Sequence, residues 1–274
     1  MGRRIGIIAG AGEFPFLLLA EAQKMGYSCV VAGIKDEAET DLRNKVDIFK
    51  WVDVGDILNL IAFFKKNGVK EAVFAGKVDH RKIFNKEKFN EASWRLLAQG
   101  KDRGPTAILK TIIDFMAKEG IQITDPTSFV ASSFCQEGVL TKTKPSPAAE
   151  EDIEFGFNIA KNIADLDIGQ AVIVKDKAVV AVEGMEGTDE VIKRGGRLAG
   201  EETVVVKVSR SFQDARVDLP AVGLNTVKSL VEAKSRALCI EAQSIPFFQK
   251  EEAISLADAH RISIVVKETV REKK

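Results

Sequence analysis

The sequence has few of the residues that build disulfide frameworks and histidine or cysteine metal centres. Its 274 residues include three cysteines and two histidines. Cys29, Cys135 and Cys239 lie far apart and form no CxxC pair, which argues against a disulfide framework or a zinc site and favours a reducing cytoplasm. His80 and His260 are too few and too scattered for a histidine-rich binuclear metal centre.

The chain also lacks an excess of charge and a long apolar run. Forty Lys and Arg residues balance forty Asp and Glu residues, so no overall field points to nucleic acid or to an anionic membrane. No apolar run approaches the roughly 18 residues that cross a bilayer. The apolar stretch after the first basic residues breaks at glycines and a charged residue, and we interpret it as a first strand. The sequence therefore predicts a soluble protein.

Strands and helices alternate in the first half of the chain. The predicted strands are Arg4–Ala9, Ser28–Ala32, Val46–Val52, Glu71–Phe74 and Ile121–Ile123. The helices between them are Phe16–Met25, Asp53–Asn67 and a long helix from the DRGPT segment, residues 102–106, to Glu119. This alternation predicts a Rossmann-like, doubly wound parallel sheet over residues 1–134.

The first strand is followed by a glycine turn, GAGEFP, and a helix. This arrangement directs free backbone N–H groups and the positive end of the helix dipole at an anion. Gly10, Gly12, Glu13, Phe14 and Pro15 are therefore candidate contacts to a phosphate or nucleotide. An ordinary tight turn is the alternative. An NAD site is disfavoured, because proline replaces the third glycine of the dinucleotide pattern and no acid ends the second strand.

Two later strand ends add candidates to the first half. Gly76, Lys77 and Val78 follow the fourth strand, and Asp125 follows the fifth. The ends of parallel strands point at the ligand crevice of an open sheet. Lys77 is thus a candidate phosphate contact, with a solvated lysine as the alternative, and Asp125 is a candidate for the ribose or a metal.

The pattern changes in the second half. Residues 138–150 carry two prolines and are interpreted as an extended connection, followed by a helix over 151–164. Two apolar runs, residues 171–174 and 178–183, are joined by a three-residue turn and predict a hairpin. Further strands are expected at 203–208, 235–241 and 262–266. We therefore predict an α+β domain with a largely antiparallel sheet over residues 135–274.

A second glycine turn precedes a helix in VEGMEGTDEVIKRGG. Thr188 or Asp189 is expected to cap a helix that starts at Glu190. Gly187, Thr188 and Asp189 are candidate contacts to a phosphate oxygen, and helix capping is the alternative. Glu183, in the same stretch, is a less favoured candidate for an acidic site residue.

The segment SFQDARVDLPAVG concentrates charged residues in a loop between a strand and a helix. Asp214, Arg216 and Asp218 would share one face if the segment were extended. Two carboxylates beside a guanidinium can hold a divalent cation and an anionic substrate together. The alternative is a solvated strand edge with a local ion pair. Lys207 and Gln213 are nearby candidates for substrate contact.

Five segments together resemble one family. AGAGEFP, FAGKV, DIGQAVIV, VAVEGMEGTDEVIKRGG and QDARVDLPAVG are similar, in order and spacing, to the UDP-2,3-diacylglucosamine pyrophosphatases of the LpxI type. The resemblance covers essentially the whole chain. It implies Mg²⁺-dependent cleavage of the substrate diphosphate to UMP and 2,3-diacylglucosamine 1-phosphate (lipid X) in lipid A biosynthesis. It also implies a nucleotide-binding domain and a catalytic, lipid-binding domain that hold the substrate between them.

The resemblance suggests roles for the charged segment. One of Asp218 and Asp214 is expected to be a Mg²⁺ ligand and the other a Mg²⁺ ligand or general base, while Arg216 contacts the diphosphate. Asp218 is preferred as the indispensable acid, because it directly precedes the LPAVG turn. The expected location is the cytoplasm, with transient contact at the inner face of the inner membrane, no nucleic-acid partner, and a homodimer as an open option. The alternatives are a non-catalytic nucleotide-sugar or lipid-binding regulatory protein and, less favoured, a nicotinamide oxidoreductase.

Overall fold

The computed structural model of the chain describes residues 3–78, 91, 93–94 and 105–269. The chain divides into two compact units. Unit 1 comprises Met1–Val130 and Asp214–Asp218, and unit 2 comprises Ala131–Gln213 and Leu219–Lys274. The boundary predicted between residues 134 and 135 lies close to the first break, whereas the short return of the chain to unit 1 was not predicted. His80 and the predicted helix cap at residues 102–104 lie outside the described residues.

Unit 1 is built on a parallel sheet of five strands in the order β3-β2-β1-β4-β5. The strands are β1 Arg4–Ala9, β2 Ser28–Ile34, β3 Ile48–Val52, β4 Glu71–Ala75 and β5 Gln122–Ile123. The helices are α1 Phe14–Lys24, α2 Ile57–Lys66 and α3 Pro105–Lys118. The chain order reverses between β1 and β4, as in doubly wound sheets. The predicted fold of this half is confirmed.

Helices cover both faces of this sheet. Ile7 packs with the buried residues of α1, while its neighbour Ile8 packs with those of α2 and α3. Successive side chains of a strand point to opposite faces, so a strand covered on both sides is apolar throughout. This explains why β1 is a continuous apolar run with no alternation of polar residues.

Unit 2 contains a mixed sheet of six strands in the order β6-β11-β10-β9-β7-β8. The strands are β6 Gly138–Val139, β7 Ala171–Lys175, β8 Ala178–Val182, β9 Val204–Lys207, β10 Ala237–Glu241 and β11 Ser263–Lys267. The helices are α4 Pro147–Asp165, α5 Thr188–Ala199, α6 Leu224–Glu232 and α7 Lys250–Ala259. Three strand pairs are antiparallel and two are parallel. The predicted α+β class is confirmed, and the structure adds a parallel centre, β9-β10-β11.

Helix α4 begins earlier than the sequence indicated. Ser146 caps it by accepting a hydrogen bond from the Ala149 N–H at 3.2 Å, and Pro147 occupies the first turn, where its missing N–H costs nothing. The prediction of an extended connection over residues 138–150 was therefore wrong at both ends, since its first two residues form β6. Among the described helices, none has the length and apolar character needed to cross a bilayer.

The tight turn between β7 and β8 is held by a buried carboxylate. Asp152 of α4 is 1% exposed and accepts hydrogen bonds from the N–H groups of Asp176, at 3.1 Å, and Lys177, at 2.7 Å. Both turn residues have positive φ, 50° and 56°, which suits the twist of a two-residue hairpin. Arg236 balances the charge with a 2.5 Å contact to Asp152.

We expect Asp152→Ala to lower the free energy of unfolding by about 3–5 kcal/mol, because it leaves a guanidinium and two N–H groups without their acceptor. The neighbouring Glu151→Ala is the control, since Glu151 pairs with Lys177 on the surface and its loss should cost less than about 1 kcal/mol. Urea unfolding measures both. Equal losses would contradict the anchoring role of Asp152.

Candidate functional site

The glycine turns that follow β1 and β4 are bonded to each other. The Ala11 N–H donates to the Lys77 carbonyl at 2.7 Å, and the Lys77 N–H donates back at 3.0 Å. A Cβ on Gly10 would lie 2.3 Å from the Lys77 oxygen, and one on Gly76, whose φ is 90°, would lie 2.6 Å from the Ala11 oxygen. These two glycines thus permit a close backbone approach. The N–H groups of residues 10, 11 and 77 are used within the protein.

The start of α1 lies beside this pair of turns. Glu13 is the N-cap residue and its side chain makes no capping bond, while Pro15 lies in the first turn. Gly12 has φ 92° and faces open space. The structure therefore brings residues 12–15 next to residues 76–78 at the carboxyl ends of neighbouring strands. Binding of a phosphate there stays a prediction.

The segment 214–218 forms a helical turn. The N–H groups of Val217 and Asp218 both donate to the Asp214 carbonyl, at 2.9 Å and 3.2 Å. The segment is therefore not extended, so the condition under which all three charged residues would share one face is not met. Residues four apart are neighbours on a helical turn, so Asp214 and Asp218 remain on the same side for a different geometric reason.

Asp214 and Arg216 form a two-pronged ion pair. The Nε and Nη2 of Arg216 donate to the two oxygens of Asp214 at 2.9 Å and 2.8 Å. This pairing lowers the pKa of Asp214 and raises that of Arg216. The charges of Asp114 and Asp125 also act on Arg216, and that of Lys110 acts on Asp214. The predicted residue Asp125 is thus brought close to the charged segment within unit 1.

Asp125 has a second role. Its carboxylate accepts a hydrogen bond from the Thr127 N–H at 2.7 Å and caps the short helical turn Pro126–Phe129. Capping of this kind fixes an Asp side chain at the start of a helical turn. The negative charge near Arg216 is therefore held in place by the local backbone.

Val217 fastens the segment to unit 1. Its side chain is 9% exposed and belongs to the apolar core that also contains residues of α2 and α3. Asp218, next along the chain, is exposed. Val217 is not among the predicted site residues, although an apolar residue between two charged ones is the signal that could have identified it. In the described residues, no group of three His, Cys, Asp or Glu side chains is arranged to hold a metal.

A buried polar chain lies in unit 2. Lys207, at the end of β9, donates to the Thr188 hydroxyl at 2.5 Å, and this hydroxyl donates to Glu183 at 2.7 Å. The other oxygen of Glu183 accepts from the Gln170 N–H at 3.0 Å. All four residues are less than 9% exposed. Two predicted substrate contacts, Thr188 and Lys207, are thereby brought together, and Glu183 accepts from the Thr188 hydroxyl.

Helix α5 starts without a side-chain cap. It begins at Thr188, and Gly187, with φ 83°, is the N-cap residue. The prediction that Thr188 or Asp189 caps a helix starting at Glu190 was wrong, because Thr188 is the first residue of the helix and its hydroxyl donates to Glu183. Gln213 accepts a hydrogen bond from the Arg210 N–H at 3.2 Å within its own loop. Asp189 and Gln213 stay predicted substrate contacts.

Family models match both halves of the chain. Residues 4–133 match the LpxI N-terminal domain, and residues 136–265 match the LpxI C-terminal domain. The chain belongs to the LpxI family. It is 28% identical over 269 residues to the UDP-2,3-diacylglucosamine pyrophosphatase LpxI of Caulobacter vibrioides, covering 93% of this chain and 94% of that protein.

Solved structures resemble the LpxI-family chain only weakly. L-threonine dehydrogenase from Phytophthora infestans is 16% identical with a TM-score of 0.29, over 44% of this chain and 34% of the solved chain. UDP-glucose 4-epimerase from Brucella ovis is 15% identical with a TM-score of 0.28, over 51% and 39%. The matched region is therefore less than half of either solved chain, and with TM-scores this low we draw no conclusion about this protein from either structure.

Removal of the Glu183 carboxylate tests the buried chain. Glu183→Ala should lower the free energy of unfolding by about 2–3 kcal/mol, because two buried donors lose their acceptor. Glu190→Ala serves as the control. Glu190 is an exposed acid in the first turn of α5 whose contact with Lys193 is 3.6 Å long, so its loss should cost less than about 1 kcal/mol. Urea unfolding measures the free energy of unfolding of both variants. A loss for Glu183→Ala no larger than that for Glu190→Ala would refute the structural role of Glu183.

Proposed function

We propose that this protein hydrolyses the diphosphate of UDP-2,3-diacylglucosamine to UMP and 2,3-diacylglucosamine 1-phosphate in lipid A biosynthesis. The match of both halves to the LpxI family carries the proposal, together with the name of the Caulobacter relative. The charged segment 214–218 supplies residue types that this reaction needs. Cleavage of a diphosphate requires neutralised negative charge and a positioned water.

Arg216 is proposed to contact the diphosphate. A guanidinium has five N–H donors, and its two hydrogen bonds to Asp214 use two of them. The pair fixes the plane of the guanidinium while leaving donors for phosphate oxygens. Arg216 has 45% of its side chain exposed, so an anion can reach it. Because Asp214 already orders the Arg216 side chain, binding of the diphosphate loses less side-chain entropy.

Asp218 and Asp214 are the residues proposed to hold Mg²⁺. Magnesium uses one or two carboxylates and completes its octahedron with phosphate oxygens and water. Asp218 is exposed and lies one helical turn from Asp214, so the donor set fits this pattern. The bound ion would neutralise charge on the diphosphate. Asp218 is proposed as the indispensable acid, because it directly precedes the LPAVG segment of residues 219–223.

The remaining predicted residues are proposed to bind the substrate. In unit 1 these are Gly10, Gly12, Glu13, Phe14, Pro15, Gly76, Lys77, Val78 and Asp125. In unit 2 they are Gly187, Thr188, Asp189, Lys207 and Gln213. The Gly10 N–H donates to the Ala75 carbonyl of β4, and the Ala11 and Lys77 N–H groups bond the two turns to each other. Backbone donors for the nucleotide are therefore proposed to come from other residues of these turns.

The proposed location follows from the substrate. A glucosamine with two acyl chains resides in a membrane, so the enzyme would work in the cytoplasm with transient contact at the inner face of the inner membrane. A homodimer is compatible with this proposal. A non-catalytic protein that binds the same lipid or nucleotide sugar is the alternative, and the presence of both Asp214 and Asp218 favours the enzyme.

Loss of the Asp218 carboxylate should abolish most of the activity. We expect Asp218→Asn to slow the release of UMP from UDP-2,3-diacylglucosamine by roughly 10²-fold or more, the effect typical of a lost acid or base. Asp41→Asn, a change of another exposed aspartate in unit 1, is the control and should keep its rate. Near wild-type turnover by Asp218→Asn would overturn the assignment. Binding of the lipid by wild-type protein without UMP release would favour the regulatory alternative.

Removal of divalent cations should stop the reaction. Treatment with EDTA is expected to abolish UMP release, and added Mg²⁺ should restore it, because the bound ion would neutralise charge on the diphosphate. Asp214→Asn should raise the Mg²⁺ concentration needed for half-maximal rate, whereas Asp41→Asn should not. Full activity in excess EDTA would contradict the metal requirement.

A further inference from the structure

Ser209 lies just after β9 and is held by a buried ion pair. Its N–H and its hydroxyl both donate to one oxygen of Glu241, each at 2.8 Å. Its carbonyl accepts from Lys161 at 2.7 Å, and Lys161 also contacts Glu241 at 3.0 Å. Glu241 ends β10 and is 5% exposed. Every polar group of Ser209 is therefore bonded to the same pair of charges.

The Glu241 carboxylate is held charged by its donors. Burial alone raises its pKa, but the hydrogen bonds from Thr269, Ser209 and Lys161 outweigh burial and bring the pKa below the usual value. A buried carboxylate with this many donors is geometrically fixed, because charge-assisted hydrogen bonds are short and strong. It forms a rigid support for the backbone of Ser209.

The next two residues are held by the last residue of α4 and by the turn that follows it. The N–H and the hydroxyl of Ser211 donate to the two oxygens of Asp165, both at 2.7 Å. Arg210 contacts Asp167 at 2.6 Å. Three consecutive residues outside any strand are thus fixed by side chains from other parts of unit 2. We call these three residues and their partners the clamp.

Apolar packing does not hold this stretch. Phe212, which follows the clamp, is 96% exposed, so its ring adds nothing to the stability of the loop. Only Phe212 and Gln213 separate Ser211 from Asp214. The clamp therefore holds the chain directly before the charged segment.

We propose that the clamp is a positioning device for the proposed catalytic segment 214–218, and that Ser209 and Ser211 are positioning residues for the hydrolysis. The proposal rests on the proposed function. Catalysis is sensitive to displacements on the order of 1 Å, and loss of a clamp hydrogen bond frees the chain three to five residues before Asp214. The effect falls on turnover more than on substrate affinity.

The test compares three serine hydroxyls of unit 2. Ser209→Ala removes a clamp hydroxyl that is buried, and Ser235→Ala removes an equally buried hydroxyl, bonded to Thr203 at 2.8 Å, in another part of the unit. Both should lower the urea midpoint to a similar extent. Ser209→Ala should also lower kcat for UMP release by about tenfold while KM changes less than about threefold, and Ser235→Ala should keep its kcat.

Ser211 provides a milder pair of variants. Ser211→Ala loses the hydroxyl bond to Asp165 but keeps the backbone bond, and Ser211→Thr keeps both. The alanine variant should show reduced kcat and the threonine variant should be rescued, with the fold of both retained because Ser211 is exposed. If Ser209→Ala does not fold, the proposal is tested by the kcat values of Ser211→Ala and Ser211→Thr. Equal kcat for both Ser211 variants and wild type would overturn the proposal.

Tryptic cleavage gives a readout that needs no substrate. Cutting after Arg216 requires local opening, since Val217 is buried. Ser209→Ala and Ser211→Ala should be cut there several-fold faster than wild type, unlike Ser235→Ala, with the fragments identified by mass spectrometry. Faster cutting in a protein that releases no UMP even as wild type would refute the proposed function but support the clamp. Unchanged cutting of both clamp variants would refute the clamp.

Discussion

Burial of one small side chain, Val217, is the contact on which the candidate site depends. A valine gains about 1.5–3 kcal/mol on full burial, and Val217 is the residue of the five that packs into the core of unit 1, although both flanking stretches belong to unit 2. Asp214, Arg216 and Asp218 surround this residue in sequence. Their proximity to Asp114 and Asp125 follows from where that valine packs.

Loops in this protein are anchored by carboxylates that accept from the backbone. Asp152 holds the β7–β8 turn, Asp165 and Glu241 hold the stretch after β9, and Glu183 holds the backbone before β7. An ionised carboxylate accepts several hydrogen bonds at once, so one side chain can fix two or three chain groups. Part of the chain's acidic content therefore serves internal hydrogen bonding.

The fold followed from patterns that are local in sequence. Alternation of apolar runs with amphipathic helices identified the sheet of unit 1, and the turn at residues 175–177 identified the β7–β8 hairpin. The parallel centre of unit 2 was harder to predict, because the direction of a strand depends on which neighbour it pairs with. The register between β9 and β10 joins residues about 33 positions apart, and no local signal encodes it.

The site was predictable in its residue types and less so in its geometry. The pattern acid-x-Arg-x-acid is compatible with a strand and also with a helical turn. The structure has the helical turn, with Val217 packed in the core of unit 1. The bond between Asp214 and Arg216 was foreseen only as the alternative ion pair. The contacts of Ser209 with Lys161 and Glu241 span 48 and 32 positions, so sequence spacing could not indicate them.

The mutual bonding of the turns after β1 and β4 has a consequence for the shape of the sheet's ligand-facing edge. In a doubly wound sheet, the point where strand order reverses leaves a cleft. Here the backbone bridge between Ala11 and Lys77 crosses the base of that cleft. Gly12 lies beside this contact, and the space that a side chain there would fill is open.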